Sequence, residues 1–340
     1  MVLVFGATGY SGRLVVERLI ERGIPVRIAA RSQEKLERLS DRFGGLELAL
    51  ADVAHPGTVA RAAAGADLLI TTVGPYTTSG HVAAEAALGA GIPYVDITGE
   101  PGWLRRVFGE FGPRAAAQGL AMLPAFGYDY VPGNLAGAIA IERAGDSAVR
   151  VDIGYFLRGR NKRSTESFSQ GTLDSLKASS NEVPYEFRDG ALADVTGPKR
   201  VLDFELDGVA VTAIGIGGTE HFALPRFAPQ LTDVNVGLGW FAPGGDTEAE
   251  PSGADGPTEE KRAEARTNVI AIARDAAGAA LAEVRVDGPN PYDLSGVLTA
   301  WAAERMLAGA VTATGALGPV DAFGLEQLRA GCEEVGLTAA

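Results

Sequence analysis

Val2-Leu3-Val4-Phe5-Gly6-Ala7-Thr8-Gly9-Tyr10-Ser11-Gly12, followed by Arg13-Leu14-Val15-Val16-Glu17-Arg18-Leu19, decides the fold class of this chain. The four apolar residues read as a buried strand, the glycines as a turn, and the periodic run after them as an amphipathic helix. That order is a dinucleotide-binding βα unit. Gly6 permits the tight turn, Gly9 lets backbone approach a pyrophosphate, and Gly12 lets the helix pack on the strand. The helix N-terminus then offers N–H groups and a partial positive charge to the phosphates. Gly6, Thr8, Gly9, Tyr10, Ser11 and Gly12 are therefore the expected phosphate-binding residues.

The next strand, over residues 25–30, ends at Arg31-Ser32, with Lys35 one helical turn further on. An NAD site usually places Asp or Glu here, to accept from the ribose 2′-hydroxyl. Arg31, Ser32 and Lys35 suit a 2′-phosphate instead, so NADP(H) is the expected cofactor. A third strand over residues 46–50 leads to Asp52, placed to reach the adenine amino group or to cap the following helix. The buried strand Asp67-Leu68-Leu69-Ile70-Thr71-Thr72-Val73 ends in Gly74-Pro75-Tyr76. Ligands bind at the carboxyl ends of parallel strands, so Val73, Gly74, Pro75 and Tyr76 are expected beside the nicotinamide. A helix over residues 80–91 and strands over 93–97 and 120–124 continue the alternation of a doubly wound parallel sheet.

The pattern then changes. Residues 150–157 and 209–216 alternate with period two, which favours a mixed or antiparallel sheet in a second lobe. Residues 269–273 and 281–286 read as a further hairpin of that sheet. Helices are expected over residues 294–307 and 325–334, and a Gly-, Pro- and acid-rich surface excursion over 243–262.

Bulk properties exclude several functions. A net charge of −13 over 340 residues argues against nucleic acid, which needs a surface of the opposite sign. The single cysteine, Cys332, excludes an internal disulfide and a thiolate metal cluster. His55, His81 and His221 show no metal-ligand spacing, so no metal is expected. No stretch approaches about twenty uninterrupted apolar residues, so neither a membrane span nor a signal peptide is expected, and the placement is cytoplasmic.

Several stretches together resemble the saccharopine dehydrogenase-like oxidoreductases, a group that includes the trans-acting enoyl reductases. They are Gly6 to Gly12, Val73-Gly74-Pro75-Tyr76, Tyr94-Val95-Asp96-Ile97-Thr98-Gly99-Glu100 and Gly127-Tyr128-Asp129-Tyr130-Val131-Pro132-Gly133-Asn134-Leu135. Pro291-Tyr292-Asp293-Leu294-Ser295 and Thr314-Gly315-Ala316-Leu317-Gly318-Pro319 also fit. The resemblance implies an NADP-binding Rossmann-type lobe over residues 1–130, completed by C-terminal helices from about 293 to 340. It further implies a mixed α/β substrate and dimerisation lobe over residues 131–292, and a homodimer. Tyr130 departs from the Ser or Gly that members commonly carry there.

Hydride transfer needs a positioned substrate, exclusion of water and a proton source. Tyr76, Tyr128, Asp129 and Tyr130 are the favoured catalytic residues, with Glu100 at a strand exit and His221 in Gly217-Gly218-Thr219-Glu220-His221-Phe222. Four of them have a structural alternative: Tyr76 as a stacking surface, Asp129 and Glu100 as helix starts, His221 as a packed histidine. Arg158, Arg160, Lys162 and Arg163 form a basic run suited to a carboxylate, a coenzyme A phosphate or an acidic carrier protein, or to a solvated loop. Three functions stay open. The favoured one is NADPH-dependent reduction of the C=C of an enoyl thioester, with the small-molecule substrate free or carrier-bound. The others are imine reduction on an amino-acid-type substrate and a non-catalytic NADP(H) redox sensor.

Overall fold

The computed structural model describes residues 1–158, 168–180, 182–239 and 256–340. These fall into two compact units, one within Met1–Tyr128, Ser169–Ser180 and Tyr292–Leu317, the other within Asp129–Phe168, Asn181–Pro291 and Gly318–Ala340.

In the first unit, strands β1 (Val2–Phe5), β2 (Val26–Ala30), β3 (Glu47–Leu50), β4 (Leu68–Thr71), β5 (Tyr94–Asp96) and β6 (Ala121–Leu123) are joined by helices. These are α1 (Tyr10–Glu21), α2 (Gln33–Arg42), α3 (Pro56–Ala63), α4 (Tyr76–Ala90), α5 (Pro101–Arg106) and α6 (Gly112–Ala117). The strand order is β3-β2-β1-β4-β5-β6, all parallel. β1 and β4 are buried along their whole length because helices cover both faces of the sheet, which is why they read as unbroken apolar runs. The order reverses between β1 and β4, and the loops leaving these two strands flank that switch point.

The second unit opens with α7 (Val131–Ala144) and carries β7 (Arg150–Arg158), β8 (Tyr185–Arg188), β9 (Ala191–Asp194), β10 (Val201–Leu206), β11 (Val209–Gly215), β12 (Asp233–Leu238), β13 (Arg266–Arg274) and β14 (Ala280–Gly288). Its helices also include α9 (Glu220–Phe227) and α10 (Glu259–Ala263), while α8 (Gln170–Ser179) and α11 (Pro291–Leu307, from Tyr292 on) belong to the first unit. β15 (Gly315–Ala316) adds a parallel edge strand to the first sheet beside β6; α12 (Pro319–Glu334) and β16 (Thr338–Ala339) close the chain in the second unit. The second sheet runs β10-β11-β12-β7-β13-β14-β16, with β8 paired to β12 and β9 to β8; among the described residues only the β12–β7 pair is parallel. The period-two pattern follows from one-sided burial: Leu202 and Phe204 are buried while Val201, Asp203 and Glu205 face solvent. On β7, Ile153 and Tyr155 point to α7, whereas Phe156 joins Leu202, Phe204, Ala213, Ile270 and Ile272 on the other face.

Two assignments differ from the expectation. Residues 318–340 pack with the second unit, because β16 pairs with β14 (Val286 opposite Ala339) and α12 lies on α7 and α9. Residues 169–180, expected in the second lobe, fold into the first unit. Arg160, Lys162, Arg163 and most of the 243–262 excursion lie outside the described residues. Arg158 itself is paired with Asp207. No helix among the described residues is long and apolar enough to cross a membrane.

Candidate functional site

The glycine loop is built so tightly that side chains are excluded. Gly6 has φ +92°, and a Cβ there would lie 2.6 Å from Thr72 Oγ1. A Cβ on Gly12 would stand 2.2 Å from Gly6 O and 2.9 Å from Ala7 Cα, so α1 can rest on the loop only without one. α1 starts at Gly9 with no capping side chain and no acid in its first turn. Its dipole is therefore uncompensated at the end where a pyrophosphate would sit, which fits a dinucleotide. The Thr8 carbonyl accepts from Arg13 (3.2 Å), and the Tyr10 ring meets Tyr292 edge-on at 4.9 Å.

Past the exit of β2, Arg31 and Lys35 are exposed, and their side chains make no hydrogen bond or ion pair among the described residues. Ser32 is partly committed elsewhere: its hydroxyl caps α2 by accepting from Lys35 N (3.4 Å). Asp52 uses Oδ1 to accept from Ala54 N (2.9 Å), closing its own turn, and α3 is left without a side-chain cap.

The turn Val73-Gly74-Pro75-Tyr76, with a cis Gly74–Pro75 bond, is held from below by Glu100. This fully buried carboxylate accepts from Tyr76 N (2.8 Å), Thr77 N (2.8 Å), Thr77 Oγ1 (2.7 Å) and Ser175 Oγ (2.6 Å). Glu100 thus precedes α5, as a helix start would, yet its side chain serves the N-terminus of α4. Its position is set locally. Asp96 Oδ1 accepts from Thr98 N (3.0 Å) and Ala125 N (2.8 Å), and Thr98 Oγ1 accepts from Glu100 N (3.0 Å). Tyr94 OH and Trp103 Nε1 occupy Asp96 Oδ2, at 2.7 and 2.8 Å. Burial raises the Asp96 carboxyl above the ordinary range, against these four donors. Tyr76 is buried, and its hydroxyl donates to Thr71 O (3.0 Å). Ser175 comes from α8, whose start is tied to Tyr292: the phenol accepts from Ser169 N (2.8 Å) and lies 2.9 Å from Thr172 Oγ1. Tyr128 ends the first unit, its amide donating to Ser295 Oγ (3.0 Å).

Asp129 and Tyr130 begin the second unit and sit at the mouth of α7. Tyr130 OH donates to Gly217 O (2.9 Å), and burial lifts the phenol well above its ordinary value, so it keeps its proton. Asp129 is half-buried, makes no hydrogen bond among the described residues, and does not cap α7. Burial pushes its carboxyl up to about 7. Beside it, Tyr155 OH accepts from Gly133 N (2.9 Å) and donates to Glu220 Oε1 (2.6 Å). Asn134 bridges Tyr130 O and Thr219 Oγ1, both at 2.9 Å. Burial pushes Glu220 up to about 8, and the charge of Asp129 adds to the rise.

His221, an expected proton donor, is buried against the Gly217-Gly218 loop. Burial pushes it down to about 4, so the ring is neutral near pH 7, and Nδ1 accepts from Gly218 N (3.0 Å). It holds the Gly217-Gly218 loop. The neighbouring Glu220, which the sequence reading passed over for His221, is the acid of that segment. Tyr155, Ser175 and Thr77 were also missed. Tyr292, Glu220 and Tyr155 lay in stretches already singled out, and none had a local sign of its partners.

A model of NAD(P)H-binding domains matches residues 6–102. The chain is 30% identical over 195 residues to a trans-acting enoyl reductase of Mycobacterium ulcerans, a match covering 55% of this chain and 47% of that protein. It is 37% identical over 140 residues to the trans-acting enoyl reductase of Mycobacterium tuberculosis, covering 39% of this chain and 34% of that protein. The chain thus spans about half or less of the length of the curated relatives it matches. In structure it is similar to a saccharopine dehydrogenase (L-Glu forming) from Saccharomyces cerevisiae, with a TM-score of 0.64 at 13% identity, covering 100% of this chain and 99% of that one. An amine dehydrogenase from Mycobacterium smegmatis aligns with a TM-score of 0.51 at 14% identity, covering 94% and 95%. Family model, sequence relatives and fold agree with the resemblance carried by the motifs: an NAD(P)H-binding domain at the start of the chain and the fold of a saccharopine dehydrogenase over its length.

Proposed function

We propose that this saccharopine dehydrogenase-like chain is an NADPH-dependent reductase that saturates the C=C of an enoyl thioester-type substrate. The observation that carries the cofactor choice is the pair Arg31 and Lys35, exposed and unpartnered past the exit of β2, in place of an acid there. The uncapped N-terminus of α1 and the glycine loop would hold the pyrophosphate. The bound cofactor supplies the hydride. Glu100 fixes the Gly74–Tyr76 turn, and Asp129, with its raised carboxyl, is the group that titrates where a proton must be given at neutral pH. The names of the sequence relatives support the enoyl substrate. A homodimer belongs to the same proposal, since the resemblance implies it, and the substrate is free or carrier-bound.

The test is NADPH and NADH oxidation by the purified chain against two panels, α,β-unsaturated acyl thioesters and 2-oxo acids paired with amines. Turnover of the thioesters with NADPH is the expected result. Turnover confined to the keto acid and amine pairs would replace it with imine reduction. Tight NADPH binding with neither activity would favour a redox sensor.

A further inference from the structure

Glu220 is fully buried, and its two oxygens have unlike surroundings. Oε1 accepts from Tyr155 OH at 2.6 Å, while Oε2 is buried with no hydrogen-bond partner. Backbone closes on both. A Cβ on Gly133 would lie 2.3 Å from Oε1 and 2.1 Å from Tyr155 OH; one on Gly218 would lie 2.4 Å from Oε2 and 2.6 Å from the Tyr130 ring. The carboxyl is thus clamped between the first turn of α7 and the Gly217-Gly218 loop, and Tyr155 links it to Gly133 N. The titratable groups around it are Asp129 and Tyr130 ahead of α7, Tyr155 on β7, Tyr185 on β8 and His221 on its own helix. The nearest arginine on α9, Arg226, is paired with Asp321 (3.1 Å), and no cation pairs with Glu220 among the described residues. A charged carboxylate with one buried, undonated oxygen and no counter-ion is costly, whereas a neutral acid is tolerated.

We propose that Glu220, carried as a neutral acid, is a positioning residue: through Tyr155 it fixes the first turn of α7 and so the Asp129-Tyr130 segment. The catalytic consequence rests on the reductase reading; the neutral-acid clamp does not. With Glu220 neutral, the folded state holds a proton that the unfolded chain releases at the ordinary carboxylate value. Stability therefore falls as pH rises from that value to about 8, and levels above it.

The experiment compares the full chain with Glu220→Gln, Glu220→Ala and Tyr155→Phe. Urea unfolding is measured from about pH 5 to about pH 9. Thioester reduction is measured over the same range. Glu220→Gln keeps the shape and the acceptor of Tyr155, so turnover near neutrality is expected within about threefold of the parent, with a flatter fall of stability at rising pH. Glu220→Ala and Tyr155→Phe are expected to lower kcat about tenfold or more with NADPH affinity unchanged. A Glu220→Gln variant with the parent's pH dependence of unfolding, or one as slow as Glu220→Ala, overturns the proposal. Absence of turnover in the parent would sink the reductase reading alone, and the unfolding comparison would still decide whether Glu220 is a neutral clamp.

Discussion

Removing the Glu100 carboxylate strips the Gly74–Tyr76 turn of its support. It accepts four hydrogen bonds with no solvent exposure, two from amides of the first turn of α4 and two from the hydroxyls of Thr77 and Ser175. The hydroxyls can re-aim toward other acceptors, but the Tyr76 and Thr77 amides cannot. Bonds onto a carboxylate are worth about 1.5–3 kcal/mol each, so losing the two amide partners puts Glu100→Ala at about 3–5 kcal/mol. Glu100→Gln keeps one acceptor oxygen and should cost about 1–2 kcal/mol, and Ser175→Ala about 1 kcal/mol. Urea denaturation followed by circular dichroism gives the stabilities, and NADPH fluorescence titration reports the turn. Affinity should fall in the order parent, Gln, Ala. The Glu100→Ala/Ser175→Ala double mutant should be less destabilised than the sum, because both remove one shared bond. A cost for Glu100→Ala below about 1 kcal/mol, or equal costs for Ala and Gln, would refute the assignment of Glu100 as the anchor of this turn.

Arg31→Ala should weaken NADPH about 10- to 100-fold and leave NADH nearly unchanged; equal losses for both cofactors would remove Arg31 from the 2′-phosphate site. Gly12→Ala drives a Cβ into Gly6 O at 2.2 Å, backbone against backbone, so α1 must lift off β1. Dinucleotide binding should then fall below detection, read by the same titration, and a variant that binds normally would contradict the packing. Because burial raises Asp129 to about 7, part of the fall in stability between the ordinary carboxylate range and about pH 7 should vanish in Asp129→Asn, as read by unfolding midpoints across that range.

Local signals carried much of what was legible. Strand, glycine turn and helix at residues 2–19 are contiguous, and the requirement for Gly12 comes from a clash within seven residues, so periodicity and glycine spacing sufficed. The same holds for Arg31 and Lys35, placed by the end of one strand and one turn of helix. Glu100 was visible only as a carboxylate at a strand exit. That it anchors α4 depends on Tyr76 and Thr77 more than twenty residues upstream and on Ser175 seventy-five downstream. Tyr128, Asp129 and Tyr130 are adjacent in the chain, yet the division between the compact units falls after Tyr128. One phenol serves the first sheet's unit and the other the α7 cluster.

By itself, then, the amino-acid order determined the parallel unit that an NAD(P)H-binding model matches, the mixed second sheet and the need for glycine at positions 6 and 12, because these rest on short-range sterics and hydrophobic period. The tertiary structure alone decided which carboxyls are buried without counter-charge. Glu220 looks like an ordinary surface acid in sequence, and its affinity for protons rises only where Gly133, Gly218 and Tyr155, distant from one another in the chain, close around it and exclude water.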